Sequence, residues 1–196
     1  MSVPKSLVAL AAGLLLPAGS FAAEGALKSG PRPGEKLPGG FSPINVTNAA
    51  RPALAGTRSD YTEQHGAGPV VLVFARRHSR GLEGLAKQLS AAAGKNRAAR
   101  LRAVVVVLAE GAGVEEKLKA PGRQEGAENV SLAYMAPDGA KGYKLSGAAD
   151  VTVVMYRRRT VEFARAFRKG ELDAKATEAV LRDARRLASR ATRGEP

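Results

Sequence analysis

The chain has two histidines, His65 and His78, and no cysteine. Without a thiol there is no thiolate nucleophile, no disulfide exchange and no thiolate ligand for a metal. His78 is followed directly by Ser79, which sets a base beside a hydroxyl. Adjacent residues rarely face each other for proton transfer, and no Gly-x-Ser-x-Gly elbow presents a serine. Ser79 reads instead as a helix cap. A zinc site takes three or four ligands at suitable spacing, and neither histidine belongs to such a set, so no metal is implied. Gly111-Ala112-Gly113 has the context of a dinucleotide loop but carries Glu116 where the third glycine would stand, and reads as a turn. Glu115, Glu116, Glu171 and Asp173 fall at helix starts, where carboxylates complement the dipole. None of these groups implies a cofactor. Arg157-Arg158-Arg159 is the best candidate for a contact surface: three guanidiniums on an exposed turn can grip phosphate or carboxylate, or can simply solvate an edge and block strand pairing. The sequons Asn45-Val46-Thr47 and Asn129-Val130-Ser131 matter only in a host that glycosylates exported protein.

These residues need a frame. A length of 196 residues suits one domain with extra chain at the ends. Tryptophan is absent and aromatics are few, so the core must come mainly from Val, Leu and Ala. The net charge of +13 favours anionic partners such as nucleic acid, phospholipid headgroups or acidic polysaccharide. The charges are scattered and few aromatics interleave with them, which is equally what an arginine-rich composition produces.

Residues 1–22 read as a secretory signal peptide, with Lys5 as its positive start and the apolar run 7–16 as its core. That run is too short to span a bilayer. Ser20 and Ala22 supply the small residues for cleavage after Ala22, and no lipid-bearing cysteine follows. The expected product is soluble and exported, periplasmic or secreted, and held together by packing alone. Its expected partner is another exported protein or an anionic polymer.

Residues 23–68 are rich in Gly, Pro, Ser and Ala and read as an extended arm lying against the domain, with a short strand within 41–46. The globular pattern runs from Pro69 to about residue 190, with 191–196 as a tail. Val70–Ala75 is apolar throughout, as a central strand covered on both faces should be. Ser79 caps a helix to about Ala93, stopped by Gly94, with Leu82, Leu85, Ala86 and Leu89 on one face. Ala103–Leu108 is a second strand, parallel to the first because a helix connects them. A short helix at 114–120, a short strand at 130–133 and a glycine-rich loop at 137–149 follow. Val151–Tyr156 and Thr160–Phe167 form a hairpin around the three arginines. Asp173 caps a last helix to about Ser189, whose apolar stripe is Ala176, Val180, Ala184 and Leu187. The fold class is α/β, a central mixed sheet in the order β-α-β-α-β-β-α with helices on both faces.

Three segments resemble secreted bacterial thioredoxin-like and peroxiredoxin-like proteins. Pro33-Gly34-Glu35-Lys36-Leu37-Pro38-Gly39-Gly40-Phe41 is similar to the opening segment of peroxiredoxin-like chains. Pro69–Ala75 looks like the first core strand of such domains, and Ala149-Asp150-Val151-Thr152-Val153 falls where thioredoxins enter their hairpin. The resemblance implies a thioredoxin-like fold. It also locates what is missing: His78-Ser79-Arg80-Gly81 stands where the redox Cys-x-x-Cys would be, and Ser59-Asp60-Tyr61-Thr62 stands where the secreted group can carry a second pair. No proline precedes Val151. The expected function is an exported, redox-inactive module that binds or scaffolds. The alternatives are a non-thiol enzyme using Asp60, Tyr61, His65 or His78 on the same face, and a basic anion-binding protein.

Overall fold

Strands form where valine is dense. In the computed structural model, which describes residues 27–111, 113–119 and 125–194, Val70–Ala75 makes strand β2 with every residue buried. Arg102–Leu108 (β3) and Val130–Met135 (β4) continue the sheet on one side, and Ile44–Asn45 (β1) closes that edge. Val151–Arg157 (β5) and Thr160–Phe167 (β6) extend it on the other. The order is β1-β4-β3-β2-β5-β6. β2, β3 and β4 are parallel neighbours; β1 pairs antiparallel to β4, β5 to β2 and β6 to β5.

Side chains alternate between the two faces of these strands, and each face is covered. Val71, Val73, Val105 and Val107 pack under helices α2 (Arg80–Lys95), α3 (Val114–Lys119) and α4 (Ala174–Thr192), which contribute Leu85, Leu118 and Leu187. Val70, Leu72, Phe74 and Val106 pack under Phe41, the short helix α1 (Tyr61–His65) and a 3₁₀ turn at Pro137–Tyr143. The long helices thus lie on one face, while short helical pieces and the N-terminal segment cover the other.

Ser79 caps α2 as expected, its Oγ accepting from Leu82 N at 3.2 Å. Asp173 caps α4 by accepting from Ala176 N at 2.7 Å. Gly94 does not stop α2: the helix runs through it to Lys95 and ends at Asn96, whose Nδ2 donates to Ala92 O at 2.8 Å. A Cβ at Gly94 would stand 3.3 Å from the Asn129 amide, so close packing rather than chain reversal accounts for the glycine. The stretch read as loop at 137–149 opens with the 3₁₀ turn, which buries Ala140 and Tyr143.

The hairpin forms, but its tip differs from expectation. Arg157 is the last residue of β5 and is only 6% exposed. The tip is Arg158 and Arg159 alone, both at positive φ (52° and 59°), the backbone of a two-residue type I′ turn. A register shift follows Met155, leaving Glu162 as the extra residue on β6. Its carboxylate meets Arg157 at 2.8 Å and Arg190 of α4 at 3.2 Å. Arg157 continues the alternation of Val153 and Met155 on the α4 side of β5, and the bulge supplies Glu162 as its partner there.

The segment before β2 crosses the sheet from edge to edge. Gly34 N donates to Val161 O, Val161 N to Glu35 O and Leu37 N to Arg159 O, at 2.8–2.9 Å, which bridges this segment to the start of β6. Phe41 then lies under the middle of the sheet, 5.5 Å from the Phe74 ring and 5.3 Å from Tyr143. β1 pairs with β4 at the opposite edge.

Candidate functional site

Chemistry in this architecture is expected where β2 hands over to α2. The handover is built from cations. Arg76 Nε donates to Ala149 O at 2.9 Å and its Nη2 to Ser146 O at 3.0 Å, while its backbone N–H bonds Asp150 O. Arg77 Nε meets Asp150 Oδ1 at 2.5 Å. Asp150 is 9% exposed, so its charge is largely out of water, and Arg77 supplies the counter-charge it needs there. Two consecutive arginines therefore hold the loop at 146–150, just before β5, against the start of α2. Sequence reasoning singled out neither; a paired Arg-Arg directly after a core strand was the available signal.

The four residues expected at the helix start do different jobs. Ser79 Oγ is committed to the cap. Gly81 is needed for space: a Cβ there would lie 2.5 Å from Leu172 O in the loop before α4. Arg80 is exposed. His78 Nε2 lies 3.0 Å from Glu83 Oε1, and the pair borders an apolar cleft lined by Leu82, Ala86, Val105 and Leu132. An imidazole–carboxylate pair is a base held by an orienting acid, but the neighbouring hydroxyl already caps the helix.

The second expected segment lies on the other face of the sheet. Ser59 Oγ accepts from Asn45 Nδ2 at 2.8 Å. Asp60 caps α1, accepting from Thr62 N at 2.8 Å and Glu63 N at 3.2 Å. Tyr61 is fully buried against Phe41, and Thr62 is buried beside it. Asn45 organises this region: its Nδ2 also donates to Thr57 O and Leu54 O, and its Oδ1 accepts from the Tyr61 hydroxyl and from Asn48. Burial pushes the Tyr61 phenol up to about 12, so it stays protonated. Residues 59–62 thus form a structural knot, separated from His78–Gly81 by the sheet. The two segments read as one polar face are not brought together.

His65 belongs to the knot side. Its ring stacks on Tyr61 at 5.6 Å, and its Nε2 is buried with no hydrogen-bond partner among the described residues. Burial, then the nearby Arg102 and Arg51, lower its pKa to about 4, so the ring is neutral. It makes no pair with His78. Among the described residues no group of three His, Asp or Glu could hold a metal ion.

The other candidates resolve locally. Glu115 pairs with Lys119 at 2.5 Å and accepts from the Tyr134 hydroxyl, and these contacts hold its carboxyl below the usual range, Lys119 first. Gly111 and Gly113 both take positive φ, as a turn requires; Ala112 lies outside the described residues, as does the expected leader. Glu171 caps the turn after β6 by accepting from Arg168 N. Asn45, the first sequon residue, is fully buried. No helix among the described residues is long and apolar enough to cross a membrane.

No protein-family model matches the sequence, and no curated protein matches it. Solved structures do. A reduced 2-Cys peroxiredoxin from Plasmodium vivax aligns with TM-score 0.60 at 13% identity, over 84% of this chain and 86% of that one. Peroxidoxin BcpB from Mycobacterium tuberculosis aligns at 0.55 and 17%, over 79% and 97%. The thioredoxin domain of a thiol-disulfide oxidoreductase from Bacteroides vulgatus aligns at 0.52 and 12%, over 76% and 99%. Identities this low speak for fold alone. The chain has the thioredoxin-like fold of thiol-disulfide oxidoreductases and peroxiredoxins, and it has no cysteine.

Proposed function

We propose that this protein is an exported thioredoxin-fold module that binds or scaffolds and carries out no thiol redox chemistry. The observation that carries the proposal is the β2–α2 handover. The resemblance assigns the redox thiols to His78–Gly81, and there Ser79 is spent on the cap while Gly81 leaves room for Leu172 O. The loop before β5, which thioredoxins use to present backbone to a substrate, is here held by Arg76 and Arg77. Backbone groups already bonded within the chain are not free to pair with a guest strand. In this reading residues 1–22 are the leader removed near Ala22, residues 23–68 are an arm belted onto the domain of 69–190, and the site face serves stability.

Insulin reduction by dithiothreitol tests the proposal. The mature protein leaves the rate at the dithiothreitol blank; turnover above that blank refutes it. Expression with and without residues 1–22 in a bacterial host, followed by fractionation, tests export, which predicts a periplasmic product shortened near Ala22.

A second reading rests on the His78–Glu83 pair at its apolar cleft, as the remnant of a non-thiol active site. It requires a hydrolytic or isomerase activity that disappears in His78→Ala; retention of any activity found in that variant removes it.

A further inference from the structure

The outer side of α4 carries a line of arginines, of which Arg182, Arg185 and Arg186 are used neither by the sheet nor by the β2–α2 handover. Arg182, Arg185, Arg186, Arg190 and Arg193 border a groove whose other wall includes Phe163 of β6. Arg182, Arg186, Arg190 and Arg193 recur every three or four residues and Arg185 flanks them, which sets the group on one side of the helix. From first to last the line spans about 16 Å at the rise of an α-helix. Such a density of like charge on one helix costs stability through repulsion and is not explained by packing.

Nearby acids do not neutralise it. Glu162 is shared between Arg157 and Arg190, and the buried Asp183 is paired with Arg165 at 2.7 Å. Arg182, Arg185 and Arg186 are exposed and make no ion pair among the described residues. Arg190 lies over the Phe163 ring, 5.8 Å from its centroid, so its guanidinium is held at the groove floor. The cations are all arginine, whose planar fork matches carboxylate, sulfate and phosphate in a bidentate manner.

We propose that this groove binds an acidic polysaccharide, whose carboxylate or sulfate groups repeat along the chain as the guanidiniums repeat along α4. A polymer read by charge alone suits the site better than single-stranded nucleic acid, whose bases stack on open aromatic rings; the ring in this groove is covered by Arg190. A bilayer surface fits less well, because the large apolar residues of α4, Val180, Leu181 and Leu187, are all buried in the core. The choice of polysaccharide rests on the exported location proposed above; the groove itself does not depend on the absence of redox activity.

The test uses the full mature chain and immobilised heparin and alginate, with neutral dextran as blank. The wild-type protein binds both acidic polymers at about 50 mM salt and weakens steeply as salt rises. Arg182→Ala/Arg185→Ala/Arg186→Ala lowers affinity at least about tenfold, since three ionic contacts are lost together. A control that removes equal charge from α2 and its end, Lys87→Ala/Lys95→Ala/Arg97→Ala, leaves affinity within about twofold. Exposed substitutions of this kind keep the fold, which a thermal melt of each variant verifies. Equal weakening by both triple variants overturns the proposal, because net charge alone would then account for binding. Tighter binding to single-stranded oligo-dT or to phosphatidylglycerol vesicles than to either polysaccharide also overturns it. Failure to bind any polyanion removes the groove and leaves the redox-inactive module standing, whereas insulin turnover removes that module and leaves the groove.

Discussion

Replacing Asn45 with alanine is the sharpest test of how the N-terminal segment is held. The side chain is fully buried and makes five hydrogen bonds: Nδ2 donates to Leu54 O, Thr57 O and Ser59 Oγ, and Oδ1 accepts from Tyr61 and Asn48. The losses are unequal. Thr57 O keeps a donor in Asn45 N, and Leu54 O keeps Thr57 N and Thr57 Oγ1, so neither carbonyl is stranded. The Tyr61 hydroxyl, in contrast, loses its Asn45 acceptor while fully buried and is left with Ser131 as its remaining side-chain partner. Under-bonding a buried hydroxyl costs about 1–3 kcal/mol, and the remaining lost bonds and the small void add about 1–2. Asn45→Ala should therefore lower stability by about 3 kcal/mol in urea unfolding. Tyr61→Phe alone should cost only about 0.5–1.5 kcal/mol, because Asn45 Oδ1 keeps the Asn48 donor. In the Asn45→Ala background Tyr61→Phe removes the under-bonded group, and should be neutral or stabilising. The double-mutant cycle should thus give a coupling of about 1–2 kcal/mol. Additive effects, or a cost below about 1 kcal/mol for Asn45→Ala, would refute this account of the knot.

Val106→Asp should abolish soluble expression, because Val106 is fully buried in the middle of the sheet and an unpaired carboxylate there costs several kcal/mol; a soluble variant with a cooperative melt would show otherwise. His65 should make stability acid-sensitive: its folded pKa of about 4 lies below its ordinary 6.5, so the unfolded chain takes up the proton first. Stability is full above pH 6.5, falls as pH drops toward 4, and loses on the order of 3 kcal/mol from this group; unfolding of His65→Phe, followed from pH 7 to 4, should show a shallower decline than the parent. Arg158→Asn/Arg159→Gly should raise the unfolding midpoint by about 0.5–1 kcal/mol of stability, because both positions take positive φ, which those residues adopt with less strain.

The parts of the fold legible in sequence are those set by local pattern. Valine runs located β2 and β3, Ser79 and Asp173 located two helix starts, and the short link between Tyr156 and Thr160 required a hairpin. What escaped depends on residues far apart in the chain. Arg77 and Asp150 are separated by 73 positions, and nothing in either neighbourhood announces the pair. The knot around Asn45 has no periodicity, because side-chain amides rather than an apolar stripe hold it. Residues 59–62 and 78–81 looked like one polar face because the resemblance set both near a redox centre; α1 packs on the face of Val70, Leu72 and Phe74 while α2 packs on the face of Val71 and Val73, so the sheet lies between them. Glycine at 94 misled because a helix stop and a close packing contact select the same residue. Arg157 misled because β5 runs one residue further than the apolar run shows, and the bulge that gives it Glu162 as a partner is invisible in the alternation of β6.

The belt that crosses the sheet also orders events in time. Lys36 finds its partner Thr160 only 124 residues later, so the stretch synthesised early must wait until β6 exists before it can close. Until then Leu72, Phe74 and Val106 face solvent on one side of an otherwise finished sheet. Contacts this distant are slow to form, and an open apolar sheet face is where chains stick to one another. The segment around Phe41, made early, thus covers an adhesive face whose neighbouring strands are completed only much later in the chain.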